Sequence, residues 1–159
     1  MKEIVIINNK NPDKRIKYDI KFFCGRGSPV GNIYNFRKKS SFETVSVNSI
    51  EEACDEMKKI TSKYMLDKKN IYPKSKEFRD YMRNILRAIK DGKKVALECY
   101  CLNLDHGQGI KSGHRCHSYD YKILIEKIAA EYPEKTFDKI LEDWLNDLSY
   151  TDIFAKKTI

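Results

Sequence analysis

The sequence predicts an α/β fold: a single Rossmann-like domain with a mostly parallel central sheet flanked by helices. Three observations predict it. Short apolar runs bounded by turn residues alternate with amphipathic helical segments. The 159 residues fit one domain with length enough for a core. The residue types that carry chemistry cluster where the expected strands end, which is where such folds place ligands.

The elements follow in order. Ile4-Val5-Ile6-Ile7, stopped by asparagines, reads as a buried strand, and 17–23 as a second strand rich in β-formers. Residues 24–32 hold three glycines and Pro29, so a shaped loop is expected there. A short strand is expected within 42–47. Ser49 and Glu52 form a capping box that opens a helix running to about Leu66, with Ile50, Ala53, Cys54, Met57, Ile60 and Tyr64 at helical spacing. After a polar connector holding Pro73, a second helix begins near Ser75 and stops at Asp91-Gly92. Its buried stripe is Phe78, Met82, Ile85 and Ile89. Lys76, Arg79, Arg83, Arg87 and Lys90 recur at steps of three and four and are expected to line another face together. Residues 94–101 read as a strand, 102–115 as a loop with Asp105, His106, three glycines and His114, and 116–130 as a helix. Pro133 opens a final amphipathic helix, a C-terminal extension over about 133–148. No repeat or linker divides the chain, so 1–159 reads as one domain.

Composition narrows the function classes. No apolar run approaches a membrane span. No basic region followed by an apolar stretch and a cleavage site opens the chain, so no signal peptide is expected. Five cysteines without an export signal read as reduced thiols rather than a disulfide framework, which points to the cytoplasm. The net charge of +8 is concentrated: residues 58–94 hold thirteen Lys or Arg against four Asp or Glu. Such a segment favours an anionic partner, or else is a solvated lysine-rich surface.

Two constellations stand out. The first is Cys24-Gly25-Arg26-Gly27…Gly31-Asn32. Glycine amides can converge on an anion, Arg26 offers a planar fork for phosphate, and Asn32 suits a base or ribose. The loop is neither a P-loop nor a dinucleotide fingerprint, and a purely structural turn is the alternative. The second is Cys99-Tyr100-Cys101…Cys116-His117. Cys99 and Cys101 share one strand face, and Cys116-His117 opens a helix whose positive end favours thiolate. A zinc site from Cys99, Cys101, Cys116 and His117, a Cys116 nucleophile with His117 as base, and simple apolar packing of the thiols all fit. Cys54 belongs to a core stripe.

In order and spacing these motifs resemble domain-of-unknown-function family 4326 of phages and bacteria. Asn9 matches an asparagine that ends the family's first strand. Phe23-Cys24-Gly25-Arg26 matches a strand end running into Gly-Arg. Gly31-Asn32-Ile33-Tyr34 stands for Gly-Asn-Pro-Phe, Cys99-Tyr100-Cys101 for Cys-Trp-Cys, and Cys116-His117 for Cys-His. The resemblance covers about 3–130. Ile33, Tyr100 and the longer 102–115 loop depart from the pattern, as does Tyr119 where an acid is common, with Asp120 one further on. The resemblance implies a Rossmann-like nucleotide-handling domain from phage–host conflict.

The expected function is binding of a small phosphate-bearing nucleotide or nucleotide-derived ligand, sequestering a host signalling molecule in the host cytoplasm if the protein is phage-encoded. Gly25, Arg26, Gly27, Gly31 and Asn32 would hold phosphate and sugar. Asn9, Cys99, Cys101, Cys116 and His117 would complete the pocket, and Tyr34 or Tyr100 would stack on a base. Arg79, Arg83 and Arg87 would add charge or mediate assembly. A nucleotide-processing enzyme using Cys116 and His117 or a metal is the alternative, and a nucleic-acid-binding module the third reading. A homo-oligomer is expected because small pockets are often completed by a partner chain.

Overall fold

Ile4, Ile6 and Ile7 are 0–2 % exposed, and their run forms the first strand of a three-stranded parallel sheet. The computed structural model describes residues 4–8, 14–35, 44–67, 69–99, 104–105, 109–110 and 116–131. Its elements are β1 (Val5–Asn8), β2 (Ile20–Phe23), β3 (Tyr34–Asn35), β4 (Val45–Ser46), α1 (Ile50–Met65), α2 (Ser75–Lys90), β5 (Val95–Cys99), β6 (Leu104–Asp105), β7 (Gly109–Ile110) and α3 (His117–Glu131). The chain is mixed α/β, with three helices among the described residues. The expected helix over 133–148, and Asn9, Tyr100, Cys101, His106 and His114, lie outside those residues.

The sheet order is β1-β5-β2. β5 is buried at every position because it pairs on both sides, with Val5 opposite Ala96 and Ile20 opposite Val95. Side chains alternate across the sheet. Ile4, Val95 and Leu97 therefore face one way, and Ile7, Ala96 and Glu98 the other.

The first of these faces meets all three helices. Met57 and Met65 of α1, Phe78, Met82, Ile85 and Leu86 of α2, and Tyr121 and Ile125 of α3 join Ile4, Val95 and Leu97 in one core. Each large apolar side chain buried there contributes roughly 1.5–3 kcal/mol. The Phe78 ring touches both Tyr64 (centroids 5.4 Å) and Tyr121 (6.0 Å), edge-on in each case. A sheet between any two of these helices would forbid such contacts. The described helices thus form one layer on one face, where the sequence predicts helices flanking the sheet.

Local signals explain the helix ends. Ser49 Oγ accepts the Glu52 amide at 3.1 Å, as the capping box predicts. The return bond lands one residue earlier than expected, from the Asn48 amide to Glu52 Oε2 at 2.8 Å. α2 closes on Gly92 at φ 81°, with Lys93 N–H reaching Ala88 O, so glycine relieves the left-handed turn.

The basic face of α2 is corrected in one respect. Arg79 is buried, its guanidinium donating to Tyr64 O at 3.1 Å and to Asn70 Oδ1. It braces the α1–α2 connection. Lys76 and Arg83 stay nearer the surface and share Asp80. The 102–115 segment, expected as a loop, contains the antiparallel β6–β7 pair. No helix among the described residues is long and apolar enough to cross a membrane.

Candidate functional site

The glycine loop leaves β2 at the C-terminal end of the sheet, where Cys24 N–H extends the ladder to Glu98 O at 2.6 Å. Two turns shape it. Ser28 N–H and Oγ both donate to Gly25 O, and Gly31 N–H donates to Ser28 O. Gly27 sits at φ 96°, a conformation open mainly to glycine. Gly31 is required for a different reason: a Cβ there would lie 2.5 Å from Gly25 O and 2.8 Å from Arg26 Cα. The loop folds onto its own backbone at that point.

Arg26 and Asn32 hold this shape. Arg26 Nε donates to Asn32 O at 3.0 Å and Nη2 to Tyr34 O at 2.9 Å. Asn32 Oδ1 accepts the Tyr34 amide at 2.9 Å, and its Nδ2 donates to Ala53 O at 3.4 Å. The two side chains singled out for a ligand therefore also staple the loop to β3 and α1.

α3 grips the loop from behind. His117 Nε2 lies 2.7 Å from Cys24 O, which can only accept, so Nε2 carries a proton. Burial, more than the nearby Arg26 charge, lowers its pKa to about 4, although the bond to Cys24 works the other way. Four residues on, Tyr121 OH donates to Val30 O at 2.8 Å. The His117 and Tyr121 rings pack edge-on at 5.4 Å.

Beside this grip the thiols cluster. Cys99 Sγ lies 3.5 Å from Cys116 Sγ, in a small buried group with Ile6 and Tyr119 packed against it. Cys24 Sγ donates to Phe22 O at 3.5 Å, and burial pushes its thiol well up. Cys24, Cys54, Cys99 and Cys116 are in no disulfide. No group of three or more His, Cys, Asp or Glu among the described residues is arranged to hold a metal ion.

On the loop's other side is an open cavity of about 320 Å³. One wall is the loop itself, through Arg26, Gly27, Ser28 and Asn32. The facing wall is α1, through Met57, Ile60 and Tyr64, and Lys74 and Glu77 bring in the start of α2. Cys99, Cys116, His117 and Tyr34 are not among the lining residues. The two constellations meet through the Cys24 backbone, but only the glycine loop faces this cavity. Tyr64 was hidden from sequence reasoning by its place in an apolar stripe. Lys74 and Glu77 had one signal, their position at the start of α2, Lys74 just before it and Glu77 in its first turn.

No protein-family model, curated protein or solved structure matches the chain.

Proposed function

We propose that the cavity beside the glycine loop binds a small phosphate-bearing nucleotide or nucleotide-derived ligand and holds it without turnover. The observation that carries this reading is the polarity of the cavity. Its lining combines Arg26, Lys74, Glu77 and the glycine loop with Met57, Ile60 and the one aromatic residue, Tyr64. Arg26, Lys74 and the start of α2, which has no side-chain cap, outweigh the single carboxylate of Glu77 that also lines the cavity, and the excess of positive charge favours an anionic group. A tyrosine over an aliphatic floor suits a flat base. A volume of about 320 Å³ sits at the lower end of ordinary small-ligand pockets, roughly 300–1,000 Å³.

Binding rather than catalysis is favoured because the Cys116–His117 pair is committed elsewhere. Cys116 packs against Cys99, and the His117 proton is donated to Cys24 O. The parallel strand order, with the loop at the strands' C-terminal ends, is in keeping with a Rossmann-like domain. The motif order that resembles family 4326 supplies the setting we infer, a phage protein sequestering a host signalling nucleotide in the host cytoplasm.

The test is isothermal titration against nucleoside mono- and diphosphates and cyclic oligonucleotides. One-to-one binding is expected for at least one of them, with the ligand recovered chemically unchanged after the complex is denatured. No heat with any of the panel removes the binding reading. A converted ligand replaces it with an enzyme.

A further inference from the structure

We infer that Cys99 and Cys116 form a two-electron redox couple, closing to a disulfide between the end of β5 and the start of α3 when the protein meets a peroxide. The inference rests on the placement of the two thiols and is independent of any ligand in the cavity. Their sulfurs lie 3.5 Å apart although the residues are 17 apart in sequence. A disulfide needs about 2.05 Å, so the sulfurs must approach by roughly 1.5 Å.

The fold holds both partners in place. Cys99 ends the central strand β5, in register with Asn8 of β1. Cys116 is pinned as the residue before α3, its carbonyl accepting Tyr119 N–H and Asp120 N–H. The other described thiols are differently occupied: Cys24 Sγ donates to Phe22 O, and Cys54 lies in the buried stripe of α1. Apolar packing alone would be served by alanine or valine at either position, and would not require two sulfurs in contact.

The chemistry balances. The thiolate of one cysteine attacks a peroxide oxygen; the O–O bond breaks, a sulfenic acid forms, and the departing hydroxide takes up the thiol's proton as water. The second thiol attacks the sulfenic sulfur, the S–S bond forms, and a second water leaves. The two thiols lose two electrons and the peroxide gains them. Cys99 and Cys116 are 1 % and 2 % exposed, so a small oxidant is the fitting reagent and bulky thiols should exchange slowly. The bond would anchor the start of α3, and with it His117 and Tyr121, which hold the glycine loop at Cys24 O and Val30 O.

The experiment needs no variant. The wild-type protein is treated with hydrogen peroxide, denatured, alkylated and digested without reduction, and its peptides are read by mass spectrometry. A peptide pair linking Cys99 to Cys116 is expected, lighter by two hydrogens and released by a phosphine reductant, with Cys54 still alkylated. The proposal is overturned if both thiols are recovered alkylated, if they are recovered as sulfinic acids, or if either pairs instead with Cys24, Cys54 or Cys101. A peroxide-induced rise in melting temperature that is absent from C99A and from C116A would support the same bond in the folded protein. A rise that persists in either folded variant would overturn it.

Discussion

His117 donates its Nε2 proton to the carbonyl oxygen of Cys24 over 2.7 Å, joining the first turn of α3 to a loop entrance 93 residues earlier in the chain. Burial keeps the imidazole neutral against the pull of this bond, and this has a consequence for acid stability. In the folded chain the pKa is lowered to about 4, against an ordinary 6.5. The unfolded chain therefore binds a proton that the folded chain refuses between those values. Stability from this group is complete above pH 6.5 and is lost as pH falls towards 4, by on the order of 3 kcal/mol in all. His117→Gln keeps a donor for Cys24 O but has no titration. Urea midpoints measured from pH 7 to pH 4.5 should fall less steeply for H117Q than for the wild type. Equal slopes would remove the assignment.

The two glycine turns predict different costs. At Gly31 an added Cβ meets backbone, 2.5 Å from Gly25 O, and neither strand of the loop can yield without breaking its bonds. At Gly92 the added Cβ meets nothing within 4 Å, and only the φ of 81° opposes it. Gly92→Ala should cost about 1 kcal/mol, the usual penalty for a left-handed residue. Gly31→Ala should cost more, about 2 kcal/mol or above, and should also distort the cavity wall. Denaturant unfolding of the two variants compares them directly, and a reversed order would show that the loop relaxes freely.

How much of this was legible in the sequence depends on the range of the interaction. The Ser49–Glu52 cap, the Gly92 stop and the α2 stripe are local, so neighbouring residue types announce them. The insertion of β5 between β1 and β2 is not local: Ile20 pairs with Val95 across 75 positions, and apolar runs carry no address. Cys116-His117 could be placed at a helix start, yet the partner of His117 is a backbone carbonyl, which every residue possesses. Arg79 shows the same limit. Its spacing fits the face of Arg83 and Arg87, but it lies beside Phe78 at the edge of the buried stripe, where Tyr64 O and Asn70 Oδ1 meet its guanidinium.

Arg79 and Arg87 should accordingly respond differently to truncation. Arg79→Ala removes two donors from the α1–α2 connection together with a side chain that is only 7 % exposed, a loss of about 1–3 kcal/mol. Arg87 is exposed on the same helix, and Arg87→Ala should change stability by no more than about 0.5 kcal/mol. Thermal melts of the pair check this; similar losses would return Arg79 to the surface face.

Ser118 predicts a gain. Its Oγ is fully buried in the first turn of α3 and has no hydrogen-bond partner among the described residues. Holding a hydroxyl there costs desolvation with no return, so Ser118→Ala should leave stability unchanged or raise it by up to about 1 kcal/mol. A clear loss in the chemical-denaturation midpoint would mean that the hydroxyl is bonded in solution.

Lys74 gives the cleanest test of which side of the glycine loop receives a ligand. Arg26 is a poor choice because its guanidinium also holds Asn32 O and Tyr34 O, so any substitution disturbs the loop together with the charge. Lys74 lines the cavity from an exposed position before α2, where its side chain makes no capping bond. Lys74→Ala should weaken binding of a phosphate-bearing ligand about tenfold, the equivalent of one charge-assisted contact, with an unchanged melting temperature. Cys116→Ala should leave that affinity unaltered wherever the variant is folded, because Cys116 is not among the residues lining the cavity. Calorimetric titration of both variants separates the two walls. If Cys116→Ala abolishes binding and Lys74→Ala does not, the ligand sits against the thiol cluster and the cavity on the α1 side is not its site.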